Sequence, residues 1–271
     1  MIQPLFIESG AERLFCIHRE PVASVPVRGS VLMLPAFAEE MNRTRSFVSR
    51  ISFRLSEAGF HVLQPDLSGT GDSTGEFRNA EWSRWIEELR LAAAWSLEKA
   101  GPVHLVALRA GALFLSDLLD AEPDRFARIC LVEPFVTGAD SVREFLQLRV
   151  ARSIFEGTKE SIAMLTEALA DGASMEVGGY DLSSGLYASL NDATIEDVGA
   201  RLKHALVLGC GRSPETRRNA AMRALVESWC AAGADATYAF VPTEPFWSQE
   251  LPSLPTDAIA RVVNFIAGAQ A

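Results

Sequence analysis

Apolar and polar positions follow two rhythms along the 271-residue chain. Short continuous apolar runs bounded by Pro, Gly or Asp alternate with longer stretches in which apolar side chains recur every three or four positions. The first pattern marks strands buried on both faces of a sheet, the second amphipathic helices. Gly29–Leu34 is the first apolar run and stops at Pro35. After a loop over Pro35–Asn42, the spacing of Phe47, Val48, Ile51 and Leu55 predicts a helix from Ser46 to Ala58, closed by Gly59. His61–Pro65 reads as a strand, Trp82–Lys99 as a helix, Val103–Leu108 as a strand, Ala110–Leu119 as a helix and Ile129–Val132 as a strand. This alternation predicts a mostly parallel sheet with right-handed crossovers and helices on both faces. Met1–Ile17 is expected to add an antiparallel edge hairpin.

Between residues 138 and 200 the rhythm breaks. Helices are expected at Ser141–Phe155 and Thr158–Ala170, with irregular chain around Met175–Tyr180. The strand–helix alternation then resumes with Ala205–Gly209, Glu215–Ala232, Ala236–Val241 and Thr256–Ala267. The organisation read from this is a core in two parts, 1–137 and 201–271, with a helical cap or lid inserted at 138–200.

Composition narrows the function classes. With 48% hydrophobic and 22% charged residues the chain is globular. Twenty-five Lys and Arg against 35 Asp and Glu give a net charge of −10, which opposes binding to nucleic acid or an anionic membrane but leaves room for a local basic pocket. No apolar run is long enough to span a bilayer, and the first twenty residues lack the basic and apolar regions of a signal peptide. Cys16, Cys130, Cys210 and Cys230 are scattered with no CxxC pair. They read as reduced thiols of a cytoplasmic protein, with no metal site. The glycine-rich loop Leu67–Gly75 has neither dinucleotide nor P-loop spacing, so no nucleotide cofactor is expected.

The chemistry gathers at Ala107-Leu-Arg-Ala-Gly111, where a buried strand runs into a helix of small residues. In the G-x-S-x-G elbow of α/β-hydrolases this turn presents the nucleophile at the top of the sheet. The flanks here are Ala107 and Gly111, and the nucleophile position holds Arg109. The loop after the first core strand, the loop Asp66–Ser73 and the insertion after Glu133 also resemble that superfamily. Six motifs in order carry a narrower likeness: Pro35-Ala-Phe-Ala-Glu-Glu-Met-Asn-Arg-Thr-Arg45, Gly71-Asp-Ser-Thr-Gly75, Trp82-Ser-Arg-Trp85, Leu108-Arg-Ala-Gly-Ala112, Glu176-Val-Gly-Gly-Tyr-Asp-Leu-Ser183 and Pro245-Phe-Trp247. The chain thereby resembles the exosortase A system-associated hydrolase 2 family. That resemblance implies an α/β-hydrolase fold, a setting in exopolysaccharide and exosortase systems of Gram-negative bacteria, and an Arg at the elbow as a feature of the group.

A Ser-His-acid triad needs a nucleophile, a base and an orienting acid. Arg109 is no nucleophile, because its guanidinium stays protonated. The loop Pro242–Ser248, where the base belongs, contains no His; His61, His104 and His204 each open a core strand, at the end away from the elbow. The acid position after Gly209 offers only Glu215. Cys210 and Ser73 are weak substitutes as nucleophile: one lacks a base, the other reads as a turn former. Two arrangements remain open for Arg109: a buried ion pair with Glu39 or Glu40, or an anion pocket built with the following helix N-terminus. In the second case Phe37, Glu39, Glu40, Asn42, Arg45, Phe246 and Trp247 are the candidate ligand-binding residues around it. The expectation is a degenerate hydrolase that binds a small acyl or carboxylate-bearing ligand, or a protein partner. The alternative is an unconventional hydrolase or acyltransferase acting on an ester or thioester.

Overall fold

The structure is a computed structural model and describes residues 1–122, 124–249 and 254–268. Ten strands and eight α-helices follow one another among the described residues. Strands β1 (Ile2–Ser9) and β2 (Glu12–Arg19) form the expected hairpin. Six more strands join them in one sheet: β3 (Gly29–Leu34), β4 (Phe60–Pro65), β5 (Val103–Leu108), β6 (Phe126–Val132), β9 (His204–Gly211) and β10 (Asp235–Pro242). The strand order is β1-β2-β4-β3-β5-β6-β9-β10. The hairpin pairs antiparallel with β4, and every neighbouring pair from β4 to β10 is parallel.

Continuous apolar runs conceal a strict two-sided division. Leu32, Leu34, Leu105 and Ala107 belong to one core cluster, beneath α2 (Trp82–Lys99), α3 (Leu115–Ala121) and α7 (Arg217–Ala231). Val31, Met33, Val106, Leu108 and Cys210 belong to the other, beneath α1 (Glu39–Glu57) and α8 (Thr256–Ile266). Successive strand side chains point to opposite faces, so both faces had to be apolar for the sheet to be covered twice.

Three expectations change in detail. Helix α1 starts at Glu39, seven residues before the predicted Ser46, so Glu39, Glu40 and Asn42 lie in its first turns. Met41 and Thr44 are buried and carry the apolar stripe upstream, while Glu39 and Glu40 complement the positive helix end. Residues Arg109–Phe114 form a 3-10 turn before α3. The irregular stretch near Met175 is a small hairpin of β7 (Met175–Val177) and β8 (Tyr180–Leu182). That hairpin lies within the segment between β6 and β9, with α4 (Gly138–Phe155), α5 (Ile162–Ala170) and α6 (Ser184–Asp192). Val142, Leu146, Leu186 and Leu190 of this segment join the core of the α2 face. It therefore packs directly on the sheet layer.

Candidate functional site

Three residues other than glycine have positive φ among the described residues: Ala38 at 50°, Arg109 at 52° and Glu133 at 49°. All three lie just past the carboxyl ends of β3, β5 and β6, which are adjacent in the sheet. Each such conformation costs on the order of 1 kcal/mol or more and persists only where surrounding structure enforces it. The enforcing contact at the elbow is close: a Cβ on Gly111 would stand 2.4 Å from the carbonyl oxygen of Pro35. Gly111 thus lets the turn after β5 press against the chain leaving β3, and Arg109 is directed upward between them.

Arg109 is 1% exposed. Its Nε donates to both Glu40 carboxylate oxygens at 3.1 and 3.2 Å, and Nη2 donates to Glu40 at 2.9 Å. Nη2 also donates to Glu144 of α4 at 2.5 Å, and Nη1 to the Glu133 carbonyl at 3.5 Å. The guanidinium lies over the rings of Phe135 and Trp247, 4.3 and 4.8 Å from their centroids. Burial opposes its charge, but Glu40 and Glu144 outweigh that effect and raise its pKa. Arg218 of α7 binds the other carboxylate oxygen of Glu144 and also lies over the Phe135 ring, 4.7 Å from its centroid. Burial works against the Glu144 carboxylate, yet Arg109 and Arg218 together hold its pKa below the ordinary value.

Glu133 completes the cluster and was not singled out from the sequence. Its carboxylate accepts from the Cys210 backbone N–H at 3.3 Å, and burial pushes its pKa upward despite Arg109. Glu144 and Arg218 were missed too, since they come from helices distant in sequence. Glu133 had a local signal, an acid directly after a buried apolar strand.

A cavity of about 130 Å³ lies over this charge cluster. Phe37, Phe135, Phe145, Leu148 and Trp247 make it apolar, and Glu39, Glu40, Arg43, Glu144 and Ser248 give it a polar wall. Of the expected ligand-binding residues, Phe37, Glu39, Glu40 and Trp247 line it. Arg109 sits beneath, and the anions it meets are the protein's own. Phe246 is packed below against Phe47, 4.4 Å between ring centroids. Asn42 turns outward to the Tyr180 hydroxyl, and Arg45 to Asp66 at 3.6 Å.

Both weak nucleophile candidates are otherwise engaged. The Ser73 hydroxyl accepts from the Phe15 N–H at 2.7 Å and donates to the Asp66 carbonyl, pinning the glycine-rich loop to β2. Cys210 is buried on the α1 face, and burial, with Glu133 adding to it, drives its thiol far above the range where a thiolate forms. The histidines stay remote from the elbow: His18 and His61 bond each other at 3.0 Å, His104 is buried near the start of β5, and His204 meets Asp235 at 2.6 Å.

No family model and no curated protein matches this chain. Solved structures do. Est1E from Butyrivibrio proteoclasticus superposes with a TM-score of 0.69 at 13% identity, covering 98% of each chain. A highly thermostable carboxyl esterase from Bacillus coagulans gives 0.64 at 11% identity, with 98% of each chain covered. Proline iminopeptidase from Mycobacterium smegmatis gives 0.62 at 13% identity, again over 98% of each. The chain has the α/β-hydrolase fold. At these identities the likeness establishes the fold and leaves the chemistry to the site itself.

Proposed function

We propose that this α/β-hydrolase-fold protein has given up triad catalysis and binds a small acyl- or carboxylate-bearing ligand in the cavity above the elbow. One observation carries the reading: the nucleophile's place is filled by a buried guanidinium locked between Glu40 and Glu144. No histidine stands near it, and a locked cation cannot attack a carbonyl. The cavity remains, with a volume close to the about 150 Å³ that suffices for a benzene-sized guest. A short acyl or aryl group fits against Phe37, Phe145 and Trp247. A carboxylate end would be met by Arg43, the arginine on the cavity wall, in competition with Glu39, which its Nε meets at 3.2 Å, and with the Ser248 carbonyl, to which its Nη1 donates at 2.6 Å. Arg109 and Arg218 act indirectly, by neutralising Glu40 and Glu144 so that the wall does not repel such a group. The segment 138–200 supplies Glu144, Phe145 and Leu148, and so serves as a cap between the core parts 1–137 and 201–271. The six sequence motifs support a role beside exopolysaccharide and exosortase systems, and the scattered cysteines without a CxxC pair support a cytoplasmic setting.

The test pairs binding with turnover. Short alkanoates and aryl carboxylates are titrated by calorimetry, and graded acyl esters and thioesters are assayed for hydrolysis, using wild type, Arg109→Ala and Glu40→Gln. Saturable binding without hydrolysis above the blank is expected. Hydrolysis well above the blank that disappears in Arg109→Ala would establish the competing reading, an ester or thioester hydrolase with an arginine where the serine stands.

A further inference from the structure

A second cavity lies on the other side of the stretch Pro35–Arg45 that walls the elbow cavity. It has a volume of about 250 Å³, larger than the elbow cavity. Its floor is Ile2 and Ile17 of the edge hairpin, and its roof is Val48 and Ser49 of α1. The groove exists because α1 covers β3 and β4 while the antiparallel hairpin extends the sheet beyond the helix. Pro35, Ala36, Met41 and Thr44 line it, whereas Phe37, Glu39, Glu40 and Arg43 line the elbow cavity. The two cavities therefore touch different residues of one stretch of chain.

The groove is mostly apolar, with Thr44, Ser49 and Gln64 as its uncharged polar side chains, and cationic at one end. Arg19, the last residue of β2, makes no hydrogen bond or ion pair to a side chain among the described residues, and its Nε is buried with no acceptor. It leans on the Phe53 ring at 5.7 Å. At the other end, Arg45 and Asp66 neutralise each other at 3.6 Å. Asp66 sits opposite Phe15, bonded through its backbone N–H. Arg19 is four residue steps along the strand from Phe15, so the ends lie about 14 Å apart. The groove carries an uncompensated positive charge on a chain whose net charge is −10. A buried N–H donor without an acceptor favours a ligand that supplies one, and a carboxylate supplies the stronger charge-assisted bond.

We propose that this groove is a binding site for a medium-chain aliphatic carboxylate, with the carboxylate on Arg19 and the chain laid between Ile17 and Val48 toward Met33 and Met41. The site is separate from the elbow cavity and does not depend on what the latter binds.

Octanoate is the probe, with octanol and octyltrimethylammonium as head-group controls, titrated by calorimetry and by methyl NMR shifts. The variants are Arg19→Gln, Val48→Trp to fill the groove and Leu148→Trp to fill the elbow cavity, each checked for a native thermal transition. Octanoate is expected to saturate, to shift Ile17, Met33 and Val48 signals, to lose about tenfold or more in affinity with Arg19→Gln and to lose binding in Val48→Trp. Octanol is expected to bind more weakly, and Leu148→Trp to leave octanoate affinity unchanged. The proposal is overturned if octanoate does not saturate, if octanol binds equally well, or if Arg19→Gln has no effect. It is overturned as well if Leu148→Trp removes octanoate binding, since octanoate would then occupy the elbow cavity. Loss of short-acyl binding in Leu148→Trp with octanoate retained bears only on the elbow reading.

Discussion

Replacing Arg109 with Met removes the guanidinium while keeping most of the side-chain volume between Phe135 and Trp247. Glu40 then loses its only ion-pair partner among the described residues, whereas Glu144 keeps Arg218. Breaking a fully buried pair by removing one partner costs about 3–5 kcal/mol. The Glu40 side chain is 23% exposed, so water can reach its carboxylate, which brings that figure toward the lower end. Loss of the cation from the Phe135 and Trp247 rings adds roughly 1 kcal/mol. The expected cost is therefore about 3–4 kcal/mol, or a fall in Tm on the order of 10 °C for a chain of this size. Urea unfolding at neutral pH reads the energy, and an unchanged m-value shows that the native state is intact. The double variant Arg109→Met/Glu40→Gln removes the stranded charge and should recover about 2 kcal/mol. The reasoning is refuted if Arg109→Met costs less than about 1 kcal/mol, or if the two substitutions destabilise additively, because either result would mean that the pair is not coupled.

Gly111→Ala should destabilise by about 2 kcal/mol or more, since its Cβ would meet the Pro35 and Leu34 carbonyl oxygens at 2.4 and 2.8 Å; thermal melting measures it, and a near-neutral effect would show that the elbow can relax. Burial, with His61 and Lys99 nearby, lowers the His18 pKa from 6.5 to about 4. The unfolded chain then binds more protons between those values, so stability falls as the pH drops through that window. A His18→Gln variant should flatten the fall in Tm, and an unaltered slope would remove His18 from the account. Of the four cysteines, only Cys230 is exposed, so a thiol reagent should label one site rapidly in the native protein and all four in denaturant. Rapid native labelling of Cys210 would overturn its assignment to the closed core and reopen it as a nucleophile.

Much of this protein is determined locally. The runs Gly29–Leu34 and Val103–Leu108 are strands because continuous apolar chain can be covered on both faces only inside a layered sheet. The elbow at Arg109 is legible because a small residue, Gly111, follows a buried strand at the right spacing. The start of α1 was less legible: Pro35 to Asn42 reads as a loop and the helical spacing begins at Ser46, yet Met41 and Thr44 gain enough burial to draw the helix seven residues upstream. That shift carries Glu40 onto a rigid helix, where it reaches Arg109.

What the sequence alone determines is the covered sheet, the elbow with Arg109 at its tip and a loop Pro242–Ser248 without histidine, because each rests on residues close together in the chain. Only the tertiary structure decides what Arg109 does. Its partners come from α1, α4 and the turn after β6, and Arg218 arrives from α7. No periodicity encodes that meeting. It follows from packing, which brings charges from distant segments to one point and excludes the water that would otherwise separate them.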